Sequence, residues 1–350
     1  MGSFKVFENP RTIYKSMLKD ILNAKKSIYL ETYIYDDDKI GRMFKKALLK
    51  KAEEGLDIKI LIDAWGSTIR RDYFNELIEK GAEVKFFKEI KYVIRFFTEN
   101  HERNHRKLLI LDEEIVYLGS INITATCLNW RELVLRLEGD ISLNFSRSFF
   151  NSWNWAGAMS RKKIRFFIHK GYEIIQDLPR RKERNLEKKY IHLIKNAKKE
   201  ILIETPYFVP SFRIRRAMEK AVKRGVIIFL TVPYNPDVKI ITLLSSRYFG
   251  DLYKKGVRIY YYKKKILHSK LMIVDSSFFI LGSSNVDYRS FRHQYEINLF
   301  GKDKKIIKEL RKFYKEGLED SIPFNYEEWK NRSSLFKIGE RILYLIRRYF

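Results

Sequence analysis

The sequence carries one structural framework twice, and that duplication limits the fold more than any other feature. AKKSIYLETYIYDDDKI from Ala24 is matched by AKKEILIETPYFVPSFRI from Ala197, each a helix end, a strand closing on Glu-Thr, and a loop. ALLKKAEEGLDIKILI from Ala47 is matched by AMEKAVKRGVIIFLTV from Ala217, and LIEKGAEVKFFKE from Leu77 by LYKKGVRIYYYKK from Leu252. In these pairs a helix runs into a glycine suited to a helix C-cap and then into an apolar strand. Strands alternating with helices call for a sheet covered by helices on both faces. Two such units predict an α/β protein of two similar lobes, each a mixed, mostly parallel β-sheet flanked by helices. The expected divisions are residues 1–165 for the first lobe, 166–186 for a basic linker containing Pro179, 187–325 for the second lobe and 326–350 for a C-terminal amphipathic helix.

A second shared pattern follows the framework in both copies. HRKLLILDEEIVYLGSIN spans His105 to Asn122 and HSKLMIVDSSFFILGSSN spans His268 to Asn285, both reading H-x-K-x4-D-x6-G-S-x-N. A lone His-x-Lys says nothing; the whole string twice at one spacing is specific. Strand alternation sets each His and Lys, two apart, on one face. The lysine places a fixed cation where a phosphoryl group would rest. Gly119 and Gly282 allow close backbone approach, and Asn122 and Asn285 offer amide donors. Two such sets facing each other at the lobe interface would cage one phosphate without a metal and stabilise charge spread over its oxygens. Asp112 and Asp275 belong to the same catalytic motif, but their place after an apolar strand fits a turn residue first and a chemical one second.

This duplicated His-Lys-Asp motif and its framework resemble the phospholipase D superfamily, from about residue 20 to residue 302. The resemblance implies that one histidine attacks phosphorus to form a phosphohistidine. The other protonates the leaving alcohol and then deprotonates the acceptor. His105 is accordingly the expected nucleophile and His268 the expected general acid and base, and the reverse order is also open. Lys107, Lys270, Asn122 and Asn285, with Ser120 and Ser283, are expected to bind the phosphate. Glu132 in NWRELVLRLEG and Glu296 in HQYEINLFG stand at nearly matched distances after the two asparagines. The resemblance gives them the task of orienting the histidines. No cofactor and no metal are expected, since no Cys or His cluster has ligand spacing. The Asp36-Asp37-Asp38 run is explained by a helix N-terminus. His101, His169 and His192 read as loop or surface histidines, and His293 as a neighbour of Glu296.

Within the superfamily, ETYIYDDDKIG, RNHRK, NWRELVLRLEG, TPYFVP and SSNVDYRSF resemble the bacterial cardiolipin synthases. Those enzymes join two phosphatidylglycerol molecules and release glycerol. The sequence departs from their commonest form by lacking paired N-terminal transmembrane helices, and by Ser120 where many have glycine. Three rival readings stand beside this one: a phospholipase D with water as acceptor, a nuclease of the same superfamily, and a non-catalytic scaffold binding anionic lipid.

A formal net charge of +27 asks for a polyanionic partner, either nucleic acid or an anionic membrane surface. With the lipid reading, the expected partners are phosphatidylglycerol and a membrane surface, with nucleic acid set aside and the oligomeric state open. Cys127 is the only cysteine, which excludes an internal disulfide and fits a reducing compartment. MGSFKVFENPRT has no apolar core behind a basic end, so no secretory signal is expected. No apolar run reaches transmembrane length. The expected placement is peripheral, on the cytoplasmic face of the cell membrane. Two segments are candidates for that contact. In SSLFKIGERILYLIRRYF, Leu335, Ile338, Ile342, Leu345, Ile346 and Tyr349 share one helical face opposite Lys337, Arg341 and Arg348. IKYVIRFF, residues 90–97, sets apolar residues among cations. A terminal helix docked on a lobe and an ordinary buried strand account for the same two patterns.

Overall fold

Helices and strands alternate as the apolar spacing requires. The structure, a computed structural model, describes residues 2–88, 101–156, 167–179 and 184–347. The first lobe begins with β1 (Phe4–Phe7), α1 (Pro10–Asn23), β2 (Ser27–Thr32), α2 (Lys39–Glu53), β3 (Asp57–Asp63), α3 (Asn75–Glu79) and β4 (Glu83–Phe87). It continues through β5 (Arg103–Asn104), β6 (Leu108–Leu111), β7 (Ile115–Gly119), β8 (Trp130–Arg131), β9 (Val134–Glu138) and α4 (Ile141–Trp155). Next come β10 (Phe167–His169), β11 (Tyr172–Asp177), α5 (Asn185–Asn196), β12 (Glu200–Glu204), β13 (Phe208–Val209), α6 (Phe212–Lys223), β14 (Ile227–Pro233), α7 (Lys239–Lys254) and β15 (Arg258–Tyr262). The motif region holds β16 (Ile266–Leu267), β17 (Leu271–Val274), β18 (Phe278–Gly282), β19 (Val286–Asp287), α8 (Tyr288–Arg292) and β20 (Gln294–Gly301). The chain ends through α9 (Lys304–Glu319), β21 (Ser321–Pro323), α10 (Tyr326–Lys330) and α11 (Ser334–Leu345).

Local chemistry explains the helix ends. Asp38, last of the acidic run, caps α2 by accepting from Ile40 N at 2.8 Å and Gly41 N at 3.1 Å. Gly55 and Gly225 follow α2 and α6 at φ +83° and +88°, a conformation that a side chain would strain.

The two sheets share a strand order. The first runs β1-β9-β7-β6-β2-β3-β4, and the second β10-β11-β20-β18-β17-β12-β14-β15-β21. β2, β3 and β4 are parallel, as are β12, β14 and β15. Every other neighbouring pair along these two orders is antiparallel. The sheets are therefore mixed, with a smaller parallel share than expected, because each motif strand returns through a hairpin rather than a crossover. Residues Phe167–His169 and Tyr172–Asp177, placed in the expected linker, form two strands at the edge of the second sheet. There Glu173 lies opposite Phe300 and Asp177 opposite Glu296.

Three apolar cores hold the layers. Ile13, Met17, Phe44 and Leu48 of α1 and α2 cover one face of the first sheet. Ile194, Met218 and Leu244 of α5, α6 and α7 do the same for the second. The remaining faces meet in a core drawn from both lobes, where Phe145, Phe149 and Trp153 of α4 join Ile306, Leu310 and Phe313 of α9.

Candidate active site

The two His-x-Lys segments begin where the lobes touch. β5 pairs in parallel with β20 of the other lobe, and His105 N donates to Tyr295 O at 3.0 Å. β16 pairs in parallel with β8, and His268 N and Ser269 N both donate to Arg131 O, at 2.9 and 3.0 Å. The opposite lobe thus pins each histidine by its backbone.

The side chains cross the seam as well. His105 Nδ1 lies 3.1 Å from Glu296 Oε1, and His268 Nδ1 lies 2.9 Å from Glu132 Oε1. Each lobe gives a histidine to the centre and a carboxylate to its partner's histidine. All four residues are buried. A carboxylate at Nδ1 fixes the ring and leaves Nε2 for a substrate. Ser120 and Ser283, expected at the phosphate, are turned to these carboxylates instead. Ser120 Oγ donates to Glu132 and accepts from Leu133 N at 2.9 Å. Ser283 Oγ donates to Glu296 and accepts from Ile297 N at 3.0 Å. The Gly-Ser-x-Asn string predicts a polar loop but not which way its hydroxyl faces. Its glycine has a packing reason: a Cβ on Gly119 would stand 2.2 Å from Leu133 O, and one on Gly282 2.3 Å from Ile297 O.

Electrostatics separates the two pairs. Burial pushes His105 well below the usual histidine range, and Lys107, Lys270 and His268 add to the push. Burial also lowers His268, but Glu132 pulls it back up. Burial works to raise Glu132, yet the charge and hydrogen bond of His268 hold it below the usual carboxylate range. Burial pushes Glu296 up to about 8, against the pull of Ser283 and Lys107. Burial, with Lys270 beside it, brings Lys107 down to about 7. Lys270 comes down to about 8, chiefly through burial. The two ammonium groups donate to the carbonyls of their own histidines, at 2.7 and 2.5 Å.

Asn122 and Asn285 are buried at the ends of the same loops. Ile34 N donates to Asn122 Oδ1 at 3.2 Å, which leaves that amide's NH2 group as the remaining donor. Asp112 and Asp275 are not brought to the centre. Each sits at the far end of its motif strand and opens a three-residue hairpin loop, 112–114 or 275–277, whose first two residues have positive φ. Asp112 accepts from the backbone of Lys25, Lys26 and Ser27 at 2.8, 2.7 and 2.9 Å. Asp275 accepts from Lys198, Lys199 and Glu200 at 2.7, 2.7 and 3.0 Å.

Several residues that the sequence reading passed over complete the arrangement. The Tyr33 ring meets His105 edge-on at 5.2 Å, and Trp130 meets His268 at 4.7 Å. Glu31, buried at the end of β2, accepts from Asn104 Nδ2 at 2.8 Å and faces Arg106 at 3.5 Å. Its counterpart Glu204, ending β12, accepts from Ser269 Oγ and from Arg131 Nε at 3.0 Å. Both carboxylates therefore hold the residue that follows a histidine. The repeated Glu-Thr was the available signal: a carboxylate closing an apolar strand in both copies needs a buried partner. His101 and His293 face each other with centroids 4.9 Å apart. The segment 90–97 lies outside the described residues.

A paired imidazole set with two buried lysines can take up a phosphodiester and exchange its alcohol. Comparison with known proteins agrees. The sequence model of the family described as cardiolipin synthase, phospholipase D-like domain, matches residues 17–153 and 190–317, once in each lobe. The chain belongs to this family. Among members of the cardiolipin synthase family, the major cardiolipin synthase of Bacillus subtilis is 33% identical over 364 residues, covering 99% of this chain and 75% of the relative. A cardiolipin synthase of Clostridium perfringens is 31% identical over 365 residues, covering 97% and 75%. The solved phosphatidylserine synthase of Haemophilus influenzae superposes with a TM-score of 0.80 over 99% of this chain and 95% of that one, at 14% identity, a likeness of fold. Among the described residues no helix is long and apolar enough to cross a membrane.

Proposed function

We propose that this enzyme moves a phosphatidyl group from one phosphatidylglycerol to another, forming cardiolipin and free glycerol. The observation that carries the reading is the crossed pairing, His105 with Glu296 and His268 with Glu132. It presents two imidazoles to one phosphate, each oriented by a carboxylate of the other lobe.

In the first half-reaction His105 Nε2 attacks phosphorus and the P–O bond to the glycerol headgroup breaks. His268 gives its proton to the departing glycerol oxygen, leaving a phosphatidyl–His105 bond. In the second, neutral His268 takes the proton from a headgroup hydroxyl of another phosphatidylglycerol. That oxygen attacks phosphorus, and His105 leaves. Lys107 and Lys270 neutralise the phosphoryl oxygens throughout, with Asn122 and Asn285 donating beside them. The unequal environments support this order. His105, held neutral by burial among cations, suits nucleophilic attack. His268, beside an ionised carboxylate, is better placed to carry a proton. With an anionic phospholipid as substrate, the surplus of positive charge serves contact with an anionic membrane surface, and the enzyme is held there peripherally, on the cytoplasmic face.

The test is a product assay with phosphatidylglycerol vesicles in EDTA, read by mass spectrometry. Cardiolipin and glycerol in equal amounts are expected. Phosphatidic acid without cardiolipin would mean that water is the acceptor. His105→Ala and His268→Ala should each lower turnover by about a thousandfold or more without disturbing the fold. Substantial turnover by either variant would end the two-histidine mechanism.

A further inference from the structure

The C-terminal helix α11 wears its apolar side outward. A helix docked on a domain normally buries its apolar stripe against that domain. Here Leu335, Ile338, Ile342, Leu345 and Ile346 line one stripe and are 81, 50, 61, 77 and 44% exposed. A different side of the helix holds it to the second lobe. Glu340 is buried and takes both arms of Arg332, at 2.9 and 2.6 Å. Gly339 lies so close to Leu243 of α7 that a Cβ would stand 2.9 Å from that side chain. The Tyr344 ring rests 6.3 Å from Tyr248, with the Arg247 guanidinium 4.3 Å above it. The outward stripe therefore belongs to an anchored helix, and large apolar side chains kept in water mark a surface awaiting an apolar partner.

Its position indicates the partner. β12 ends at Glu204, whose carboxylate holds the residue beside His268, so this end of the second sheet is the end that carries the site. The neighbouring parallel strand β14 finishes at the same end and leads through exposed Tyr234 and Val238 into α7, whose first turn exposes Ile240. Leu243, which Gly339 abuts, comes one turn later. The start of α11 thus runs alongside the head of the second lobe, and Arg341 stands exposed on the flank of its stripe. A second copy of the chain would bring that flank against like charge, whereas anionic lipid offers both an apolar layer and opposite charge.

We infer that the outer stripe of α11, with Val238 and Ile240, is the surface on which the enzyme lies in the headgroup layer of an anionic bilayer. This holds the second lobe's end of the site against its substrate. The inference rests on the reading that the substrate is an anionic phospholipid. At twelve residues α11 lies in the plane of the interface and does not cross it.

The test uses the full chain with Ile338→Asn, Ile342→Asn and Leu345→Asn combined, all at exposed positions. Its thermal unfolding midpoint should match the parent's. Co-sedimentation with vesicles of phosphatidylglycerol and phosphatidylcholine should weaken by about tenfold or more. Turnover of short-chain phosphatidylglycerol dispersed below its micelle concentration should stay at the parent rate. Vesicle binding equal to the parent's would overturn the inference. So would a shift from dimer to monomer with binding intact, which would make the stripe a self-association face. A second variant guards against misfolding: Ile342→Cys carries a polarity-sensitive dye, Cys127 being buried. Its emission should move to the blue when anionic vesicles are added, and an unmoved spectrum would overturn the inference. Failure of the reaction itself is read separately, as vesicle binding without lipid product in parent and variant alike.

Discussion

Two lysines and two histidines share one buried centre, and burial sets their protonation before any lipid arrives. Lys107 at about 7 and Lys270 at about 8 are poised to lose charge just above neutrality. A phosphodiester keeps its single negative charge across this range, so it binds well only while the lysines are cationic. Raising the pH removes their protons, which puts the loss of activity on the alkaline side. We expect kcat/KM, which reports the free enzyme, to fall by about tenfold per unit above roughly pH 7 and, once both lysines titrate above roughly pH 8, by up to about a hundredfold per unit. Once bound, the phosphate favours the ammonium forms, so the decline in kcat should begin at higher pH. Lys270→Arg should make that limb of kcat/KM shallower above about pH 8, leaving about tenfold per unit from Lys107, because a guanidinium stays charged, while lowering kcat through altered geometry. Rate profiles on dispersed short-chain phosphatidylglycerol would measure both. A kcat/KM that stays level to about pH 10 would remove these lysines from phosphate binding.

At the level of elements, the motif divides its work along one hairpin. His and Lys stand where the strand enters the site, while Asp112 and Asp275 close the turn at the opposite end. Each Asp ties that turn to the start of β2 or β12 through three backbone N–H groups. Asp112→Ala and Asp275→Ala should each cost about 2 kcal/mol of stability, the scale for losing charge-assisted hydrogen bonds at a partly exposed turn. Urea denaturation would measure that loss, and the folded fraction should keep turnover within about threefold of the parent. A variant as stable as the parent but inactive would return Asp to the chemistry. The hairpin was legible in the sequence because strand alternation and the turn after it are local signals. The serines were not, since a string of residue types does not say where a hydroxyl faces. Glu132 and Glu296 could be named as partners, but their crossing depends on how two lobes dock, which no local pattern encodes. The edge strand β11 was hidden because its basic surroundings outweighed its apolar run. The stripe of α11 was visible, yet only the fold shows that the helix docks through one side and exposes the other.

At the scale of the whole molecule, the lobes resemble two domains in sequence and behave as one in packing. The inner faces of the two sheets share a core with α4 and α9, so neither lobe alone would keep those side chains from water. Arg131 of the first lobe adds polar ties, with Nε 3.0 Å from Glu204 Oε1 and Nη2 2.6 Å from Phe313 O. Such a buried pair gives little net stability when intact, but losing one partner costs about 3 to 5 kcal/mol because the other charge stays buried. Calorimetry of the parent should therefore show one transition, with calorimetric and van't Hoff enthalpies in agreement. Arg131→Ala should move that transition to lower temperature without splitting it. Turnover should fall with it, since Arg131 O receives the backbone N–H of His268 and the neighbouring Glu132 holds its ring. Two resolved transitions in the parent would instead make each lobe a domain of its own, and the histidine–carboxylate pairs would then form only when the lobes dock.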